Sequence, residues 1–187
     1  MRPCPDHDIL GCPMTRINKV SGKGRVPCSI MLIGEAPGKM EDAKGKPFIG
    51  KSGSELEHLY LAKCAEIDRR NVYITNLVKC RTNDRDRDPT EDEMTACGSL
   101  LLDELSEVNP QYVGLVGRLA TQFFLKGAKM EKVHGFGYEG FGRLMMPLYH
   151  PAYGLHNTPM MRHIMEDFRR FGRMVRGDEG VMWRSNR

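Results

Sequence analysis

No apolar run in this chain approaches the roughly 20 residues needed to cross a bilayer. The stretch behind Met1 lacks the apolar core of a secretory leader. Fixed-period repeats and low-complexity tracts are absent as well, so solenoids and compositionally disordered chains are excluded. Charge of one sign is lacking too: 28 Lys+Arg against 24 Asp+Glu leave +4, a mild basic excess that permits nucleic-acid binding without demonstrating it. The 187 residues, 40% hydrophobic and 28% charged, suit one soluble globular domain spanning 1–187. Six cysteines in such a chain point to a reducing compartment, where thiols bind metal or pack more often than they pair, and the cytoplasm is the expectation.

Apolar periodicity sets out alternating strands and helices. Ser29–Ile33 is a short apolar run that empties into Gly34-Glu-Ala-Pro-Gly38. Leu56, Leu59, Tyr60, Cys64 and Ile67 recur at helical spacing, and Asn71–Asn76 reads as a second strand. The charge-dense stretch Asn83–Asp92 mixes signs and contains Pro89, so it reads as a solvated loop. Thr90 with Glu93 offers a capping box for a helix presenting Met94, Cys97, Leu101, Leu105 and Val108, stopped by Asn109-Pro110. Tyr112–Val116 is a third strand, Leu119–Leu125 a short helix and Leu144–Tyr149 a fourth strand. Thr158 can cap a last helix, with Pro159 at its first position. Parallel neighbours need crossover helices, so this order predicts a three-layer α/β/α sandwich around a four-stranded parallel sheet. Ligands in such folds bind beyond the carboxyl ends of the strands, where Gly34–Gly38, Asn76 and His150-Pro151-Ala152 lie.

Four motifs in order, GEAPG with Glu41-Asp42 behind it, GKPFIG (Gly45–Gly50), VYITNLVKCR (Val72–Arg81) and YHPA (Tyr149–Ala152), closely resemble the iron–sulfur uracil-DNA glycosylases of family 4. The resemblance runs from about Cys12 to the last helix. It implies the fold of that family and an enzyme that flips deoxyuridine from DNA, hydrolyses its N-glycosidic bond and leaves an abasic site.

An enzyme working on a base must extrude it, stack its face and read its edge. Alone, Phe48 fits a core position, Asn76 a turn and His150 a loop tie. By resemblance Phe48 stacks on uracil, and Asn76 reads O4 and N3–H with an amide that both accepts and donates. His150 would donate to O2, where charge accumulates as uracilate leaves. Glu41 matches an acid near C5 that excludes thymine, and Gly34 and Ala36 belong to the same uracil-binding set. The better-known uracil glycosylases carry a water-orienting Asp where Ala36 stands. Glu35 or an unassisted water then takes that role, beside an oxocarbenium-like sugar.

The resemblance further implies a four-iron, four-sulfur (4Fe-4S) cluster on four cysteines, with residues 1–28 as an amino-terminal arm that supplies two of them. Cys80 and Cys97, with sixteen residues between them, match one pair, and Cys12 matches the second member of the other. Seven residues separate Cys4 from Cys12 where the family usually has two, and Cys4 is the expected fourth ligand. Thiolates suit zinc as well, which is the runner-up metal. Cys28 and Cys64 read as small buried hydrophobes. The cluster is expected to be structural.

For DNA, Lys51 and Ser52 beside a helix start could bind phosphate. Leu155, ahead of Tyr153, is the expected wedge for the gap left by the flipped base. The arginines of the last helix read as its wet side. Uracil-containing DNA, single- or double-stranded, is the expected partner of a monomer. The alternative is a catalytically weak uracil-DNA-binding module. A relative trapped covalently on its product through a His is a third reading, disfavoured because Arg81–Pro89 contains no His.

Overall fold

The computed structural model describes residues 12, 18–82, 87–155 and 157–184. Cys4, most of the expected arm and His156 lie outside them. Five strands form one sheet: β1 (Ile30–Gly34), β2 (Val72–Asn76), β3 (Tyr112–Val116), β4 (Tyr138–Gly140) and β5 (Arg143–Leu148), in the order β2-β1-β3-β5-β4. The four strands β2, β1, β3 and β5 run parallel, as the sequence predicts. The count of four is corrected by β4, which adds antiparallel to β5 at one edge. Its three residues, Tyr-Glu-Gly, hold a single apolar side chain and so give no periodic signal. A two-residue turn joins it to β5, with φ of +53° at Phe141 and +70° at Gly142, the positive pair that a tight hairpin demands.

Helices cover both faces of the sheet. Every residue of β1 and β2 is buried, as expected of strands covered on both sides. Their side chains alternate between the faces. Met31, Ile33, Val113 and Leu115 pack with Leu101 and Leu105 of α3 (Glu91–Val108) and with Leu119 of α4 (Arg118–Phe124). Ile30, Leu32, Val72 and Ile74 pack with the π-helical segment Leu56–Ala65 and with Phe168 and Phe171 of α6 (Thr158–Arg176). Both phenylalanines are fully buried, each contributing about 2 kcal/mol relative to an exposed position.

The remaining helices are short: α1 (Lys39–Lys44), α2 (Lys51–Glu55), which leads into the π-helical segment, and α5 (Met130–Val133). Thr90 and Glu93 form the expected capping box of α3, and Asn109 ends that helix in a left-handed conformation. At α6 the cap is Asn157, one residue before the expected Thr158; its side chain accepts from the N–H of Met160. Among the described residues no helix is long and apolar enough to cross a membrane.

The chain crosses from β1 to β2 on one side and then returns past β1 to β3 on the other. The order therefore reverses between β1 and β3, and a crevice opens at their carboxyl ends.

Candidate active site

Gly34 and Asn76 close β1 and β2 and are partners in register. The chain beyond them is stitched together, since Leu77 N–H donates to the Gly34 carbonyl at 2.8 Å and Val78 N–H to that of Glu35 at 3.1 Å. A β-carbon at Gly34 would overlap Asn76 Oδ1 and lie 2.5 Å from Phe48 Cζ. Glycine is thus what lets the Asn76 amide and the Phe48 ring meet over one strand end.

Asn76 is buried, and besides the sheet register a lysine beneath it holds its backbone carbonyl. Lys79 is 1% exposed, and its Nζ donates to the Asn76 carbonyl at 2.7 Å, to Thr75 Oγ1 at 2.8 Å and to Glu104 Oε2 at 2.7 Å. Glu104 Oε1 in turn accepts from Gly22 N–H at 3.1 Å. Three acceptors satisfy the buried ammonium, a requirement for burying any charge. Desolvation pushes the lysine below its usual value and Glu104 pulls it back.

Phe48 sits in the loop between α1 and α2 with φ of +53°, a left-handed conformation that costs a bulky residue on the order of 1 kcal/mol. The loop is held from both sides. Glu41 Oε1 accepts from the N–H groups of Ile49, at 3.1 Å, and Gly50, at 3.0 Å. Gly53 lies beneath Phe48, where a β-carbon would collide with the Phe48 carbonyl. Glu41 is therefore a clamp on the loop as well as part of the cleft wall.

His150 follows β5, and its ring centroid lies 5.8 Å from that of Phe48. Its Nδ1 accepts the N–H of Ala152 at 3.2 Å, at the start of the short turn Pro151–Tyr153. That bond leaves Nε2 to carry the proton of the neutral ring. The ring faces an open cleft and is partly exposed, yet the surrounding protein lowers its pKa to about 4 by desolvation. His150 is a neutral donor at physiological pH.

Glu41, Phe48, Asn76 and His150 line one cleft of about 340 Å³ together with Glu35, Ala36, Ser52, Thr82, Asp88 and Tyr153. The volume suits a small ligand, and the walls are mixed, with Ala36, Phe48 and Tyr153 beside Glu35, Glu41, Asn76, Asp88 and His150. Glu35 reaches across the crevice and accepts the Leu119 N–H of α4 at 2.8 Å. Burial raises its pKa above the usual 4.5; the Leu119 bond opposes that shift, Asp88 adds to it and Arg118 lowers it. Asp88 pairs with Arg118 at 2.5 Å, and Arg87 grips Glu93 with both terminal nitrogens, at 2.8 and 2.5 Å. Over its described residues, Arg87–Asp92, the stretch expected to be a solvated loop is exposed except at Pro89; Arg87, Asp88 and Pro89 also line the cleft, and Glu91 and Asp92 open α3. Glu93 lies only six residues from Arg87, whereas Arg118 lies 30 residues from Asp88.

Ser52 lies at the cleft and Lys51 is exposed beside it. Tyr153 is 60% exposed at the rim, whereas Leu155 is half-buried. Arg169, Arg170 and Arg173 of α6 each contact Glu166, so the wet side of that helix is laced with ion pairs.

Cys80 and Cys97 are buried in the apolar cluster under α3, and Cys12 packs against that cluster. Cys28 is buried in the same cluster, its thiol donating to the carbonyls of Ile30 and Asn71 at 3.3 Å, and Cys64 is buried in the cluster on the other face of the sheet, both small buried residues as expected. Among the described residues no three His, Cys, Asp or Glu side chains are assembled to hold a metal ion. Cys4, the expected fourth ligand, is outside that set.

The uracil DNA glycosylase superfamily model matches residues 22–169. A type-4 uracil-DNA glycosylase of Saccharolobus solfataricus is 42% identical over 164 residues, covering 83% of this chain and 75% of the relative. Type-4 enzymes of Thermotoga maritima and Archaeoglobus fulgidus are 37% and 36% identical, covering 83% and 86% of this chain and 83% of each relative. The chain belongs to the uracil DNA glycosylase superfamily, in its type-4 branch.

Proposed function

We propose that this chain is a monofunctional uracil-DNA glycosylase that acts in base-excision repair. The observation that carries the reading is the convergence of Phe48, Asn76 and His150 on one cleft at the sheet's switch point. A flipped uracil stacks on Phe48, and the Asn76 amide accepts from N3–H and donates to O4. The Nε2–H of His150 donates to O2. The C1′–N1 bond breaks with its electron pair leaving on the base, and a neutral donor fixed in advance stabilises that charge without reorganising. Water then adds to C1′ of the oxocarbenium-like sugar and gives up a proton to solvent, from which the departing uracilate takes one back. Glu35 orients that water and its charge favours the cation, in place of the carboxylate that Ala36 does not supply. Gly34 and Ala36 let the base approach the strand end, and Glu41, holding the Phe48 loop, places the wall that excludes thymine.

Lys51 and Ser52 contact phosphate. The exposure of Tyr153 supports it as the side chain that enters the gap left by the base, ahead of Leu155 on the same turn. A monomer in the cytoplasm suffices for this chemistry.

Cys80 and Cys97 lie in one apolar cluster with Cys12 packed against it, and soft thiol donors suit an iron–sulfur group; Cys28, in the same cluster, has its thiol bonded to the Ile30 and Asn71 carbonyls. Cys12, Cys80 and Cys97, with Cys4, would hold a 4Fe-4S cluster that ties the arm to the segment around α3. Iron with equimolar inorganic sulfide supports the cluster, and zinc without sulfide supports the runner-up.

The test is uracil release from a labelled single-stranded oligonucleotide by anaerobically purified protein, with a thymine control. Uracil-specific release that falls about 100-fold in Asn76→Ala and His150→Ala is expected. Tight binding to uracil-DNA without release would favour the second reading, a uracil-binding module, which the absence of a carboxylate at Ala36 motivates. A protein–DNA adduct on a denaturing gel would indicate covalent trapping instead.

A further inference from the structure

Outside the cleft lies a buried pair with no part in the chemistry described so far. Asp167, on α6, is 1% exposed, and its two oxygens have separate partners. Oδ1 lies 2.7 Å from His134 Nδ1, and Oδ2 accepts the Tyr149 N–H at 3.1 Å. Tyr149 immediately precedes His150. The His134 ring also packs on the Tyr149 ring, with centroids 4.6 Å apart, and against His163 at 5.9 Å.

The chain leaving β5 is fastened residue by residue. Gly135 N–H donates to the Pro147 carbonyl at 2.8 Å, and Gly117 N–H to that of Leu148 at 2.8 Å. The Asp167 bond to Tyr149 N–H is the last of these ties before the turn that carries His150. Beyond it, the backbone bonds of the turn are its own short ones, His150 Nδ1 to Ala152 N–H among them, and its buried Pro151 and Gly154 pack toward α2 and α6. A carboxylate removed from water must be paired, and a backbone N–H at a strand exit must find an acceptor. Each partner here meets the other's need, with His134 orienting the carboxylate from its second oxygen. Burial raises the Asp167 carboxyl above its usual range and the bond from His134 opposes that shift.

We propose that Asp167 and His134 are positioning residues for uracil excision: together they fix the backbone at Tyr149, and through it the place and tautomer of the His150 ring. The inference rests on the reading of His150 as the donor to uracil O2. Asp167 does not touch the base. It acts by keeping Nε2–H of His150 aimed at one point, and a misplacement of about 1 Å at such a donor costs up to about 100-fold in rate.

The test combines single-turnover kinetics with the imidazole 1H–15N spectrum of His150, which reports ring tautomer without any substrate. In Asp167→Ala, His150 is expected to change from a single Nε2–H tautomer to a mixture. The excision rate falls about tenfold or more while the Kd for uracil-DNA moves less than twofold. Asp167→Asn, which keeps an acceptor for the Tyr149 N–H, restores most of both readouts. His134→Ala leaves Asp167 in place and gives a smaller change of the same kind; it decides the matter if Asp167→Ala does not fold.

A spectrum and rate unchanged in Asp167→Ala, or in His134→Ala where it stands in, overturn the proposal. So does a lowered melting temperature with an unchanged rate, which marks a merely structural pair. If the wild-type protein releases no uracil, the reading of the cleft fails, and the His150 spectrum still tests the coupling from Asp167 to that ring.

Discussion

The Ala152 N–H donates to His150 Nδ1 at 3.2 Å, and so the only proton the neutral ring carries points from Nε2. With the ring's pKa lowered to about 4 from the usual 6.5, His150 stays a neutral donor well below neutral pH. The rate of uracil release should therefore show no acid limb at 6.5 attributable to this residue, and its decline should begin closer to pH 4. For stability the sign follows from proton binding: between the two values the unfolded state takes up the proton and the folded state does not. The contribution of His150 to stability is fully present above about pH 6.5 and is lost as pH falls toward 4. A pH–rate profile alongside urea melts over the same range checks both statements.

Gly34→Ala places a methyl group where Asn76 Oδ1 and Phe48 Cζ already lie. One or both side chains must shift. Excision is expected to fall about 100-fold, with a loss of stability of about 1–3 kcal/mol from overpacking. Comparing rate and melting midpoint for this variant separates the two effects, and near-wild-type excision would contradict the close approach of Gly34, Asn76 and Phe48.

Glu35→Gln keeps an oxygen for the Leu119 N–H but removes the charge. If the charge steadies the sugar cation, the chemical step slows about tenfold or more while the melting temperature changes little. Glu35→Ala removes the bond to α4 as well and adds a stability loss of about 1 kcal/mol. Equal single-turnover rates for wild type and Glu35→Gln would assign the water no help from this residue.

Lys79→Met leaves Glu104 beneath the sheet end without its cation. Removing one partner of such a pair is expected to cost about 3 kcal/mol. Adding Glu104→Gln should recover part of that loss, because the stranded charge disappears with it. Urea denaturation of the two single variants and the double variant measures the coupling.

The capping box at Thr90, the αL stop at Asn109 and the apolar runs of β1, β2, β3 and β5 were legible because each is a local arrangement, satisfied within a few residues. The strand ends marked the cleft for the same reason. Edge strand β4 was not legible, since one tyrosine beside a glycine carries no period. The cap at Asn157 was missed although asparagine is the better capping residue by type, because Pro159 directly after Thr158 suggested a helix starting one residue later.

Sequence by itself determined the order of strands and helices, their buried faces, and the motifs that end three strands, because hydrophobic period and capping chemistry act over one or two turns. Only tertiary structure decided which distant groups meet. Glu35 finds Leu119 across 84 residues, His134 finds Asp167 across 33, Lys79 finds Glu104 across 25 and Arg118 finds Asp88 across 30. Each is a charged or polar side chain whose type alone suits an exposed position. What gives Glu35, Asp167 and Lys79 a role is burial next to a partner that the fold brings to them, and in low-dielectric surroundings that pairing is a condition of the fold; Arg118 and Asp88 meet at an exposed position.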